Sequence, residues 1–191
     1  GPGQAMALRS VLHMPKDKTL LVILPTGEGK SLLYQALAVQ ESYKTIAVVV
    51  PTVALAFDQE NSLPEIEELK TKNNHAYIGG RNEENASILA SIPTGKQGLL
   101  FAAPEAFVGS LRNELVEAAK NGNLGAVVVD EAHLVYAWGS DFRSDYQKLA
   151  SLISELRSAA PKGKKPKVIC LSATVDSESL ETLDTLFSHG D

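Results

Sequence analysis

Several short runs of this chain are apolar at nearly every position: Thr19 to Leu24, Thr45 to Val50, Gly98 to Ala102, Leu124 to Val129 and Val168 to Leu171. A strand without polar alternation has no wet face, so it needs cover on both sides. Segments of helical pattern separate the runs: Leu32 to Leu37, Leu55 to Lys72 with an interruption at Pro64, Glu83 to Ser91, Phe107 to Lys120, Phe142 to Ala159 and Ser177 to Phe187. His75 to Ile78 is a shorter strand candidate, stopped by Gly79-Gly80. This alternation predicts one α/β domain over residues 1–191, with a mostly parallel sheet and helices on both faces. Ligands of such sheets bind beyond the carboxyl ends of the strands. The polar motifs fall there: Thr26 to Ser31, Pro51-Thr52, Ala103-Pro104-Glu105, Asp130 to His133 and Ser172 to Thr174. Independent accidents would scatter along the chain.

The first of these motifs is the most specific. Leu24-Pro25-Thr26-Gly27-Glu28-Gly29-Lys30-Ser31 joins a strand to a helix. Gly27 and Gly29 let the backbone turn its N–H groups inward, and the helix N-terminus adds a partial positive charge. Thr26, Gly27, Glu28, Gly29, Lys30 and Ser31 thus form a cradle for polyphosphate, with Lys30 as a point charge and the Ser31 hydroxyl as a Mg²⁺ ligand. Leu24 stands where the strict pattern begins with Gly, which leaves the Thr-Gly-x-Gly-Lys-Ser core intact. A glycine turn capping an ordinary helix is the plainer alternative.

Asp130-Glu131 follow the apolar run Val127 to Val129. Alone, the pair reads as acidic residues favoured at a helix N-terminus. Beside a phosphate loop, Asp130 becomes a second Mg²⁺ anchor, acting through the ion's water shell, and Glu131 a base that orients or deprotonates a water. The expected cofactors are ATP and Mg²⁺, and the expected catalytic residues are Lys30, Asp130 and Glu131. Hydrophobic content of 44% and charged content of 21% suit a soluble globular domain, and no run reaches membrane-spanning length. The single cysteine, Cys170, reads as an inert core thiol in a reducing compartment, consistent with the cytoplasm. A net charge of −5 means that any nucleic-acid contact is local and salt-sensitive.

With Asp130-Glu131-Ala132-His133 in view, the chain resembles the first RecA-like domain of a superfamily 2 helicase with a DEAH box. Ser172-Ala173-Thr174 is similar to motif III, and the resemblance makes His133, Ser172 and Thr174 coupling residues, with His133 hydrogen-bonding toward motif III. Pro51-Thr52-Val53-Ala54-Leu55 with Asp58-Gln59 looks like motif Ia, and Ala103-Pro104-Glu105 like motif Ib. Gln4 is similar to the glutamine that reads the adenine edge in this family. Taken alone, it is an ordinary surface residue. The stretch Thr26 to Gln35 and the stretch Trp138-Gly139-Ser140-Asp141-Phe142-Arg143-Ser144-Asp145-Tyr146 resemble the RecQ branch. There the second stretch is an aromatic-rich loop that senses single-stranded DNA. Trp138 and Phe142 can stack on bases, worth about 1–3 kcal/mol per base, and Arg143 adds charge. Buried core aromatics with Arg143 paired to Asp145 are the alternative.

The implied DNA-binding set is Pro51, Thr52, Gln59, Pro104, Glu105, Trp138, Phe142 and Arg143, facing single-stranded or forked DNA. Glu28, Thr52 and Leu134-Val135-Tyr136 depart from the usual RecQ residues, which predicts a specialised member acting in a repair or defence complex. A second RecA-like domain of the same protein, absent from this chain, is expected to supply an arginine finger. Two rivals stay open: a P-loop small-molecule kinase, and a non-catalytic nucleotide-gated module. His13, His75 and His189 lack metal-ligand spacing. Lys162, Lys164, Lys165 and Lys167 form a basic loop before a strand that reads as a solvated turn in preference to a DNA contact, and Gly79-Gly80 suits either close approach of a DNA backbone or a plain turn.

Overall fold

In the computed structural model the described residues are 1–63, 67–70, 73–137, 140–174 and 176–188, with residues 70, 136, 137 and 140–143 described by their backbone alone. The apolar runs form strands β1 (Thr19–Ile23), β2 (Thr45–Val49), β3 (Asn73–Ala76), β4 (Gln97–Ala102), β5 (Leu124–Val129) and β6 (Lys167–Ser172). They pair in parallel throughout, in the order β1-β6-β5-β2-β4-β3. Strands β2, β4, β5 and β6 are buried at every position, as their lack of polar alternation requires.

Successive side chains of a strand point to opposite faces, and each face has its own core. Ala47 and Val49 join Leu100, Val127, Val129 and Cys170 on one side, while Ile46, Val48 and Val50 join Phe101, Ala126, Val128 and Ile169 on the other. The helices are α1 (Pro2–His13), α2 (Lys30–Gln40), α3 (Val53–Asn61), α4 (Glu67–Lys70), α5 (Asn82–Ser91), α6 (Pro104–Val108), α7 (Arg112–Lys120), α8 (Leu134–Ala137), α9 (Ser140–Ala159) and α10 (Ser177–Phe187). Buried residues of α1 to α4 cover the second face, and those of α5 to α10 cover the first. Among the described residues no helix is long and apolar enough to cross a membrane.

Three features differ from the sequence reading. The expected helix from Phe107 to Lys120 is two helices, because the chain turns at Gly109, whose N–H closes α6 on the Glu105 carbonyl. An N-terminal helix, α1, is present that the reading did not contain. Its signal was legible: Pro2 suits a first helical position, and Ala7, Leu8, Val11 and Leu12 recur at helical spacing. The third difference is Lys167, which does not belong to a solvated turn. It is 3% exposed in β6, and its ammonium donates to the carbonyls of Leu12 (2.8 Å) and Val11 (3.3 Å) at the end of α1. A cation there satisfies otherwise orphaned helix carbonyls and complements the helix dipole.

Candidate nucleotide-binding site

The loop between β1 and α2 is shaped by two glycines. Gly27 (φ 84°) and Gly29 (φ 77°) both occupy the left-handed region, where a Cβ is strained. Glu28 N–H donates to the Pro25 carbonyl at 3.1 Å, closing a turn around Gly27, and Gly29 is the N-cap of α2. A Cβ on Gly29 would collide with the Gln4 side-chain amide, so that amide lies directly against the loop. The open space above Gly27 has no neighbour within 4 Å of a Cβ placed there. Thr26, Gly27 and Glu28 are exposed at the mouth, and Ser31 is half-buried beside Tyr34 in the first turn of α2.

Strand order brings the second motif to this loop. β6 lies between β1 and β5, and its last two residues hold the segments that follow both neighbours. The Ser172 carbonyl accepts from Leu24 N–H at 3.0 Å, which anchors the start of the phosphate loop. Ala132 N–H donates to the Leu171 carbonyl at 2.8 Å, and Asp130 N–H to the Val49 carbonyl of β2 at 2.9 Å. The acidic segment is therefore pinned to both strands flanking β5. Within it Glu131 is the one non-glycine residue with positive φ (48°) among the described residues, a conformation that costs about 1 kcal/mol.

The side chains converge. Lys30 Nζ, 9% exposed, lies 3.3 Å from Glu131 Oε1, yet has no hydrogen-bond partner among the described residues. The other Glu131 oxygen is 3.4 Å from His133 Nδ1. Ser172 Oγ, fully buried, donates to the Thr174 carbonyl at 2.6 Å and meets His133 Nδ1 at 3.1 Å. Its one proton being spent, the serine oxygen accepts from Nδ1–H, which fixes the histidine tautomer. Asp130 is buried and accepts from Glu131 N–H at 2.9 Å. Burial, reinforced by the Glu131 charge, raises the Asp130 carboxyl to about 6, with that hydrogen bond and Lys30 pulling the other way. The buried ammonium lacks a hydrogen bond among the described residues although Glu131 faces it, and the Asp130 carboxyl is reluctant to ionise, so each has room for a further ionic partner. A Mg²⁺-bound triphosphate supplies both signs, so the residues fit that ligand. Among the described residues no group of three His, Cys, Asp or Glu side chains forms a metal cage; Mg²⁺ commonly uses one or two protein ligands and the substrate's phosphates.

The nucleic-acid candidates lie at the carboxyl ends of β2 and β4. Pro51 and Pro104 are buried. The Thr52 hydroxyl accepts from Leu55 N–H at 3.2 Å and caps α3. Gln59 Oε1 accepts a 2.5 Å bond from the buried Tyr34 hydroxyl, tying α3 to the helix that follows the phosphate loop. That tyrosine was not singled out in the sequence, although it sits one helical turn after Lys30. Glu105 is exposed. Trp138 lies outside the described residues; Phe142 and Arg143 belong to α9, where only the backbone is described. Cys170 is buried, and burial pushes its thiol up to about 12, as an inert core cysteine requires.

The DEAD/DEAH box helicase family matches the chain over residues 1–183. The chain belongs to that family. It is related to its RecQ members: it is 38% identical over 160 residues to the ATP-dependent DNA helicase Q5 of Rattus norvegicus, across 83% of this chain and 16% of that protein. It is 32% identical over 178 residues to the ATP-dependent DNA helicase RecQ of Bacillus subtilis, across 92% of this chain and 27% of the relative. This helicase domain thus spans less than a third of those two proteins. The DUF1998 helicase MrfA bound to DNA and AMPPNP shares the fold, with a TM-score of 0.71 at 21% identity over 97% of this chain and 26% of that one.

Proposed function

We propose that this domain binds and hydrolyses ATP as the motor of a RecQ-like DNA helicase or translocase. Lys30 would hold and neutralise the triphosphate, Ser31 would ligate Mg²⁺ while Asp130 would anchor it through the ion's water shell, and Gln4 would read the adenine edge over Gly29. Bound Mg²⁺ supplies charge neutralisation at the phosphate oxygens. Glu131 positions and deprotonates the attacking water, held between Lys30 and His133 until nucleotide draws Lys30 away. His133 and Ser172 carry the state of that carboxylate to β6 and on to Thr174. DNA runs along the ends of β2 and β4, past Thr52, Gln59 and Glu105, toward Trp138, Phe142 and Arg143. A second RecA-like domain of the same protein completes the site with an arginine.

The observation that carries this reading is the buried Lys30 ammonium, 3.3 Å from Glu131 and without a hydrogen bond among the described residues, beneath a loop with two left-handed glycines. The test is Glu131→Gln in the intact protein. DNA-stimulated ATP hydrolysis should fall by about 10²-fold or more, the usual scale for losing a general base, while binding of a fluorescent ATP analogue persists. Hydrolysis unchanged by the substitution would make the domain a nucleotide-gated module instead.

A further inference from the structure

The end of the sheet opposite the phosphate loop carries an unexplained concentration of positive charge. Three loops that each precede a strand meet there: residues 14–18 before β1, residues 41–44 before β2 and residues 160–166 before β6. A cavity of about 310 Å³ opens between two of them, lined by Lys16, Asp17, Lys162, Gly163 and Lys165. Lys164 lies alongside, its stem against Gly122 in the turn before β5. Lys44 completes the group, paired with Glu41 at 2.7 Å.

These lysines press on one another. Burial holds the Lys16 ammonium below its ordinary range, and the Lys44 and Lys164 charges push it further down, with Glu41 offsetting part of the effect. Lys16 and Lys44 are also close enough for direct side-chain contact and share that one carboxylate. Like charges packed in this way are relieved by an anion. The excess belongs to a chain whose formal net charge is −5, so it is a segregated patch and not a generally basic surface.

Two further facts identify the anion. No aromatic residue lines this cavity, and the exposed Tyr43 of the 41–44 loop lines a separate cleft with Ser42, Thr94 and Lys96, so the lysine cavity itself reads charge and does not stack bases. Duplex DNA suits such a surface, because its bases are already stacked and it carries one charge per about 1.7 Å. The patch also stands a strand's length, about 17–20 Å, from the carboxyl-end rim. One strand laid along that rim does not reach it; the second arm of a fork can. Resting on the DNA-motor reading above, we propose that this lysine patch binds the phosphate backbone of a duplex arm of forked DNA.

The test compares the intact protein with its Lys162→Gln/Lys165→Gln variant, both sites being exposed and outside the nucleotide machinery. Binding of a labelled fork and of a labelled single strand is measured across a salt series. Removing two phosphate contacts should flatten the fork's log–log salt slope by about 1.8 and weaken fork binding about tenfold or more near 0.1 M salt. Single-strand binding and ATP affinity should stay unchanged. Fork affinity and slope equal to those of the unsubstituted protein overturn the proposal. So does loss of poly-L-glutamate binding with fork binding intact, which would assign the patch to an acidic protein. If the unsubstituted protein bound neither DNA, the motor reading would fall and this proposal with it, a result distinct from failure of the lysine variant alone.

Discussion

At the scale of single residues, the site holds charges that do little for the fold. Lys30 is buried, its ammonium makes no hydrogen bond among the described residues, and its ionic partner Glu131 keeps 28% of its side-chain surface exposed. Removing such a cation leaves a carboxylate that water can still reach, so the usual penalty of an orphaned buried charge is small. Lys30→Met, which keeps an unbranched stem and removes the ammonium, should change unfolding stability by no more than about 1 kcal/mol. ATP affinity should fall at least about tenfold. A loss of stability above about 3 kcal/mol in urea denaturation would show that the ammonium holds the fold together and was misread as a phosphate ligand. Glu131 is held in place, its φ of 48° maintained by hydrogen bonds that the Asp130 and Ala132 N–H groups donate to the flanking strands. Backbone strain of this kind survives only where the surroundings over-determine it.

Among elements, the links that matter join segments far apart in sequence. Lys167 ties the carboxyl end of α1 to β6, and α1 carries Gln4 over the phosphate loop. Lys167→Met should destabilise the protein by about 1–3 kcal/mol, the cost of leaving buried acceptors unpaired. It should also blunt discrimination between ATP and GTP, measured by competition binding, because the helix bearing Gln4 loosens. Unchanged discrimination at lower stability would separate α1 from base recognition. A second link joins α3 to β3 and to the turn that leads into α5. Glu60 contacts His75 Nδ1 at 2.8 Å and accepts from Arg81 at 2.8 Å, and Arg81 lies 5.1 Å over the Phe57 ring. Burial alone would raise the Glu60 carboxyl, but those hydrogen bonds outweigh it and hold it below the usual carboxylate range. A lowered folded-state value means stability that is present above the unfolded carboxylate pKa, about 4.3, and lost as pH falls through the folded value. Glu60→Gln should therefore cost at most about 1 kcal/mol at pH 7, screened as the pair is. The difference from the unsubstituted protein should vanish in strong acid. A difference that persists there would point to packing instead of charge.

For the whole molecule, strand order does two things at once. Placing β6 between β1 and β5 brings Leu24, Ser172 and Ala132 into one backbone network at the carboxyl ends. The same order gathers Lys16, Lys44 and the lysines of the 160–166 loop at the opposite end, so the two ends differ in charge and in chemistry. Much of this was legible beforehand. Runs without polar alternation require a sheet covered on both faces, and Gly27, Gly29, Lys30 and Asp130-Glu131 mark the candidate phosphate site, because backbone freedom, burial and charge are carried by the residues themselves. The amino-acid sequence thus determined the class of fold and the chemistry of the nucleotide site. Only the tertiary structure decided that Lys167 is buried while Lys162 is not and that Gln59 answers to Tyr34, whereas the meeting of His133 with Ser172 is the contact toward motif III that the resemblance implied. Those partners lie 25 to 155 residues apart, and their meeting depends on which strands become neighbours, a choice made by long-range packing and written in no local pattern.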